Sequence, residues 1–373
     1  MKLCFLHGGF HIHGGIERVI SIVAPALEER EIAEVRCISL VKTHPLEMYH
    51  LPDRMHTDYL FSQQINMRNA LLKGGIAKLV KYIKKHQIEA IVACGVIYFP
   101  LACIAGKIAG VNVLCWEHTH PENENKTILE IISRSFGAAV SDWNILISNG
   151  AYDYYCTHYR KSRNVIINNP AANELFTDPY RREHPDNAFV SVGRLTDQKN
   201  FPLLIDIAEK ILKGRTDWRW DIYGDGEQRI ALERKITELG LEEKVFLKGN
   251  VSDLYDRYPQ YAAIVMTSRY EGFPMVLIEA AAKGLPMVSF DIETGPSEII
   301  RDGVNGFLIP QNDIGSMIDR LELIMDNSAL CSQMSSAAKE SVEPFRLNAV
   351  CAQWQMLLQE LGKQIDEKNN ICN

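Results

Sequence analysis

The chain has 373 residues, 46% of them apolar and 23% charged, with a formal net charge of −7. That length accommodates two domains with sizeable cores, and the balance of residue types excludes a largely disordered chain. Residues 1–175 carry 18 Lys/Arg against 16 Asp/Glu (net +2) and the remainder 22 against 31 (net −9), so neither half is basic enough to suggest a nucleic-acid partner.

The first half reads as alternating strands and helices. Leu3–Leu6 is an apolar run of strand length, and Ile16–Arg30 places apolar residues at helical spacing. Val35–Val41 reads as a strand, Ile76–His86 as a helix and Ala90–Cys94 as a strand. Leu101–Ala109 follows as a helix, Val111–Trp116 as a strand, and Asn144–Ser148 and Asn164–Ile167 as short strands. Strands separated by helices imply a parallel sheet covered on both faces. Turn chemistry at Asn168-Asn169-Pro170 and the polar run Thr177–Asn187 mark a hinge.

A second series follows. Ala188–Val192, Trp218–Tyr223, Lys244–Lys248, Ala263–Met266 and Met287–Phe290 read as strands. Phe201–Leu212, Glu227–Leu239, Val251–Tyr258, Pro274–Lys283, Ser297–Arg301 and Ile314–Met325 read as helices, with Ser297 a candidate cap. Gln353–Gly362 lies in a final helix, with a frayed tail from Lys363. The division expected is 1–175, 176–345 and a C-terminal helix and tail, 346–373, packing back toward the N-terminal domain. The fold class is α/β, with two doubly wound domains in tandem.

The nine cysteines form no CxxC pair and show no zinc-site spacing, so they read as reduced thiols. Leu3–Leu6 is too short for a signal-peptide core, and no stretch reaches the roughly 18 apolar residues that span a bilayer. The expectation is a cytoplasmic protein, at most peripheral on the inner face of the cytoplasmic membrane. Arg68–Lys85 carries six Lys/Arg and no acid, opposite a stripe of Ile76, Leu79, Val80 and Ile83. This is either a basic amphipathic helix for anionic lipid or a solvated helix face.

The strongest chemical signal is Glu271-Gly272-Phe273-Pro274-Met275-Val276-Leu277-Ile278-Glu279, which follows a strand and opens an apolar helix. Backbone N–H groups at a helix start attract phosphate, Gly272 permits close approach, and Pro274 suits the first turn. Glu271 and Glu279 can face one ligand. From spacing alone, a surface loop with a helix-surface ion pair fits equally well.

Here the residues become recognisable. Tyr270-Glu271-Gly272-Phe273-Pro274 with Glu279 resembles the E-x7-E signature of glycosyltransferase family 4, retaining enzymes of the GT-B fold, in which two Rossmann-like domains face each other across a cleft. Further landmarks follow over essentially the whole chain: Gly14-Gly15-Ile16-Glu17-Arg18, Gly193-Arg194-Leu195 with Gln198-Lys199-Asn200, Gly224-Asp225-Gly226, Leu247-Lys248-Gly249 and Gly303-Val304-Asn305-Gly306-Phe307-Leu308. The Trp116-Glu117-His118 triplet resembles a branch that builds bacterial surface polysaccharides.

The resemblance implies a site. Glu271 takes a hexose hydroxyl and Glu279 the ribose. Gly14 and Gly15 approach the donor diphosphate and sugar. Arg194 and Lys199, beyond Gly193, stabilise the departing diphosphate beside Gly272, Phe273, Pro274, Met275 and Val276. Asn250 helps to hold the base. His118 bonds the hexose, oriented by Glu117, with His120 the alternative in the same loop. His11 and His13 make a weak case for a metal.

No DxD triplet occurs, which fits metal-independent transfer with the nucleotide-sugar as substrate and no cofactor. The donor expected is a UDP-sugar and the acceptor a saccharide or an undecaprenyl-diphosphate-linked oligosaccharide of O-antigen or capsule. The competing readings are an epimerase or hydrolase on the same fold and a silent sugar-nucleotide-binding subunit.

Overall fold

The computed structural model describes residues 1–10, 15–42, 51–52, 55, 57–119, 121, 127–176 and 186–371, with side chains to residue 363. The chain divides into two compact units, Met1–Pro170 with Leu347–Asn373, and Ala171–Arg346.

Among the described residues the first unit holds seven strands: β1 (Lys2–His7), β2 (Glu34–Val41), β3 (Thr57–Phe61), β4 (Ala90–Cys94), β5 (Asn112–Glu117), β6 (Trp143–Leu146) and β7 (Asn164–Ile166). They form one sheet in the order β3-β2-β1-β4-β5-β6-β7, every pairing parallel. Its helices are α1 (Gly15–Glu29), α2 (Met67–Leu72), α3 (Gly75–His86), α4 (Phe99–Ala109), α5 (Ile128–Val140) and α6 (Asn149–His158). Every residue of β4 is buried, as continuous apolar strands under helices on both faces require.

The second unit holds β8 (Ala188–Val192), β9 (Arg219–Tyr223), β10 (Val245–Gly249), β11 (Ala263–Met266), β12 (Met287–Asp291) and β13 (Gly306–Pro310). All pairings are again parallel, in the order β10-β9-β8-β11-β12-β13. Counted within the unit this is 3-2-1-4-5-6, the Rossmann order, with its reversal between β8 and β11. The helices are α7 (Phe201–Leu212), α8 (Arg229–Glu238), α9 (Leu254–Arg257), α10 (Met275–Ala282), α11 (Pro296–Ile299), α12 (Ile314–Asp326) and α13 (Ser328–Ser341). The chain then returns to the first unit as α14 (Leu347–Ile371). There Trp354 is fully buried, 5.8 Å from the ring of Phe5 and 5.0 Å, edge-on, from that of Trp116.

Several local expectations change. The basic stretch Arg68–Lys85 is two helices, because Gly74 takes a left-handed φ of 79° between α2 and α3. Of its apolar stripe, Leu79 and Ile83 are core residues, while Ile76 and Val80 pack partly buried against them and line an open hollow with Lys81, Lys84, Lys85 and exposed Ile108. Ser297 does not cap α11, which starts at Pro296 after Gly295 with no side-chain cap. Pro274 is the N-cap of α10 rather than a residue of its first turn. Helix α14 continues to Ile371 instead of fraying from Lys363. Among the described residues, no helix is long and apolar enough to cross a membrane.

Candidate active site

In the second unit the signature residues gather where the strand order reverses. Beyond β8, Gly193 and exposed Arg194 precede buried Leu195, and a single 3-10 turn (Asp197–Lys199) leads to Asn200, whose left-handed φ of 54° starts α7. Beyond β11, Thr267–Pro274 leads into α10. Lys199 and Glu271, 72 residues apart, meet here: Lys199 Nζ donates to Glu271 Oε1 at 2.5 Å, with side chains only 16% and 8% exposed. The expected diphosphate cation is thus paired with the expected sugar-binding carboxylate.

The backbone around this pair is tied from several directions. Gln198 Nε2 donates to the carbonyl of Tyr270 at 3.0 Å, and Arg269 N donates to that of Gln198 at 2.8 Å. Thr294 Oγ1 donates to the Glu271 carbonyl at 2.8 Å, and Thr267 Oγ1 to the Lys199 carbonyl at 3.1 Å. Arg194 has no ion-pair partner among the described residues. The Lys199 side chain packs on Gly193, the residue before Arg194, and Glu271 and Lys199 are therefore held rigidly just before the N-terminus of α10. Positive ends of this kind accept a diphosphate.

Two glycines make this packing possible. A Cβ on Gly224 would come within 2.0 Å of the Gly193 carbonyl oxygen, so the β9 loop can back the Arg194 turn only with glycine there. Gly295, at φ 98°, would place a Cβ 2.4 Å from Pro274 Cδ, against the start of α10.

Glu279 lies on α10, 2% exposed, and accepts from Tyr258 Oη at 3.5 Å. The Phe273 and Phe345 rings pack tilted, 5.5 Å apart. Met275 and Val276 open the helix half-exposed, and Asn250 is exposed just past β10.

In the first unit, β5 ends in Trp116-Glu117 and leads to His118. The expectation that Glu117 orients the imidazole is not met, because its carboxylate is taken up elsewhere. Arg134 of α5 donates to Oε2 at 2.8 Å, and Tyr155 Oη of α6 donates to the same oxygen at 3.1 Å. Thr119 donates to Oε1 through its backbone N at 3.1 Å and its Oγ1 at 2.6 Å. Glu117 is wholly buried and Arg134 is 3% exposed. Burial opposes the charge on Arg134, but the adjacent carboxylate prevails and raises its pKa. Glu117 therefore ties Thr119, just past His118, to α5 and α6.

The His118 ring lies 4.4 Å from that of Trp116, and its Nε2 is buried without a hydrogen-bond partner. Burial lowers its pKa to about 3, so the imidazole is neutral near pH 7. Arg134 and Tyr155 were missed in the sequence because α5 and α6 were not recognised as helices.

Gly15 begins α1 with open space around it. Gly14, His11, His13 and His120 lie outside the described residues. Among the described residues, no group of three or more His, Cys, Asp or Glu is placed to hold a metal.

Two parallel-sheet Rossmann-like units, with the signature residues at the carboxyl ends of the second unit's strands, define the GT-B fold, and the chain is a glycosyltransferase. Residues 174–341 match the family model for Glycosyl transferases group 1.

The chain is 24% identical to an uncharacterized glycosyltransferase of Haemophilus influenzae (92% of this chain, 96% of that one). It is 26% identical to the amylovoran biosynthesis glycosyltransferase AmsD of Erwinia amylovora (96% and 99%). Identity to the lipopolysaccharide 1,6-galactosyltransferase of Escherichia coli is 25% (86% and 88%). Among solved structures, Anabaena HepE in complex with UDP superposes with a TM-score of 0.82 at 20% identity (96% and 100%). A Staphylococcus aureus TarM complex containing UDP does so at 0.81 and 16% (96% and 99%). At these identities the solved structures speak for the fold alone.

Proposed function

We propose that this chain is a retaining, metal-independent transferase of family 4. It moves a hexose or N-acetylhexosamine from a UDP-sugar to a saccharide or undecaprenyl-diphosphate-linked acceptor in bacterial surface polysaccharide synthesis, O-antigen or capsule. The observation that carries the reading is the meeting of Lys199 and Glu271 just before the start of α10, at the reversal of strand order. The names of the lipopolysaccharide and amylovoran relatives and the UDP in the HepE and TarM structures support the choice of donor and process.

In this reading the diphosphate lies on the α10 N-terminus and Arg194, and Lys199 shifts from Glu271 toward the leaving oxygens. Glu271, released, accepts from a hexose hydroxyl, and Glu279 serves the ribose. Neutral His118 hydrogen-bonds the hexose. The acceptor hydroxyl attacks on the face the diphosphate leaves, and the leaving phosphate takes its proton. Two side-chain cations and a helix terminus supply the neutralisation for which other transferases use a metal ion. The lysines of α3 draw the protein toward anionic lipid from the cytoplasmic side.

The test is thermal stabilisation by UDP, GDP, ADP and CMP with EDTA throughout. Saturation by one nucleotide at about a hundredfold over Kd adds about 2.7 kcal/mol. A shift with UDP alone supports the reading. No shift with UDP in EDTA, restored by a divalent cation, refutes metal independence. UDP-sugar consumed without any acceptor assigns a hydrolase or epimerase instead.

A further inference from the structure

Helix α5 carries an apolar surface that the fold does not use. Its register is set by a capping box, in which Thr127 Oγ1 accepts from Glu130 N while the Glu130 carboxylate accepts from Thr127 N. The side buried in the unit is Ser133, Arg134, Gly137 and Ala138. Ile128, Leu129, Ile131 and Ile132 are turned outward and exposed by 77%, 46%, 41% and 59%. The spacing i, i+1, i+3, i+4 makes them one stripe on the first two turns. Soluble surfaces carry isolated exposed aliphatics, but a contiguous set marks a contact.

The surroundings indicate with what. Ser135, one turn on, lies 3.4 Å from Tyr159 Oη, which brings the end of α6 beside the stripe. Tyr159 packs on Tyr154 at 6.1 Å, and Tyr154 stacks on His158 at 4.0 Å. The next residues, Arg160 and Lys161, are exposed and have no acidic partner among the described residues. Arg163 lies over the Trp143 ring at 5.9 Å. Among the described residues the acids on α5 and α6 are Glu130, held in the capping box, and Asp153; Glu122 and Glu124, ahead of α5, lie outside the described residues. Aliphatics, then tyrosines, then cations is the order in which a surface meets hydrocarbon, headgroup and phosphate. The stripe exposes on the order of a few hundred Å², short of the ~800 Å² per partner of a stable protein interface.

We propose that the first half of α5 and the end of α6 form the contact through which this chain seats on an anionic bilayer. Ile128, Leu129, Ile131 and Ile132 enter the acyl boundary, Tyr159 lies at headgroup level, and Arg160 and Lys161 pair with lipid phosphates. This deepens the membrane-peripheral part of the proposed function and is independent of donor and chemistry. The α3 lysines add attraction beside a hollow lined by Ile76, Val80 and Ile108, but Ile76 and Val80 are half covered by the core, whereas Ile128 and Ile132 stand 77% and 59% exposed.

The test is co-sedimentation of the whole chain with phosphatidylethanolamine–phosphatidylglycerol vesicles and with phosphatidylcholine vesicles. The wild type binds the anionic vesicles preferentially. Ile128→Ser with Ile132→Ser, both on the surface, weakens binding about tenfold or more while leaving the melting curve unchanged. Arg160→Glu with Lys161→Glu weakens it by a similar factor and abolishes the preference for anionic lipid. Lys81→Glu with Lys84→Glu and Lys85→Glu has the smaller effect. No vesicle binding by the wild type overturns the proposal. So does undiminished binding by the double serine variant, or loss only in the α3 variant. A wild type that is dimeric by light scattering and becomes monomeric in the double serine variant assigns the stripe to a second copy and also overturns it.

Discussion

Replacing Arg134 by Met tests whether the loop carrying His118 depends on a buried ion pair. The substitution keeps the aliphatic bulk and removes the guanidinium, which leaves a wholly buried Glu117 carboxylate with Tyr155 and Thr119 as its remaining donors. Breaking one side of a buried pair costs about 3–5 kcal/mol. For a unit in the range of 150–250 residues, that lowers its transition by roughly 6–20 °C. Differential scanning calorimetry reads this directly. Adding Glu117→Gln to Arg134→Met removes the stranded charge and recovers more than half of the loss. Where Arg134→Met remains folded, turnover falls by about 100-fold, because displacement of a catalytic loop by an ångström costs that much. A loss below about 1 kcal/mol would mean that Glu117 is hydrated in solution and that the ion pair does not hold the loop.

Lys199→Ala lowers kcat by about 10²–10³ in donor-saturated assays, with Lys199→Arg intermediate; full turnover in the alanine variant would remove Lys199 from the leaving-group site. His118 contributes a pH dependence whose sign follows from burial. Its folded pKa of about 3 lies below the ordinary 6.5, so the unfolded chain protonates first and stability is full above pH 6.5 and lost as pH falls toward 3. His118→Asn flattens denaturant-measured stability over that window by up to about 1 kcal/mol per pH unit, and identical profiles would contradict the burial of Nε2. Gly295→Ala forces a Cβ against Pro274 at a positive φ, which costs roughly 1–3 kcal/mol and weakens UDP stabilisation more than a neutral surface substitution does.

The sequence exposed the strands most plainly where burial is complete. Leu3–Leu6 and Ala90–Cys94 are apolar without alternation because helices cover both faces. Thr57–Phe61 escaped notice: it is an edge strand, three of whose five residues are not buried, so it lacks an apolar run. Helix α5 was hidden for the opposite reason, since Ile128, Leu129, Ile131 and Ile132 face outward and blur the helical period.

At the candidate site the motif residues could be read, but not their partners. Nothing in the spacing joins Lys199 to Glu271 across 72 residues, or Glu117 to an arginine on an unrecognised helix. Such pairings are set by the packing of loops and helices on the sheet, which exists only once the sheet has formed.

Helix α14 also bears on how the chain is made. Phe5 and Trp116 are translated early, yet their aromatic neighbour Trp354 comes from the far end of the chain. At ~5–20 residues per second, roughly 20–70 s separate the synthesis of Phe5 from that of Trp354. Throughout that interval the first unit stands outside the ribosome with an aromatic pocket uncovered, and the second unit ends at Arg346, just ahead of Trp354. Vectorial synthesis therefore makes the unit translated first wait for a segment translated last, and the two units are completed together.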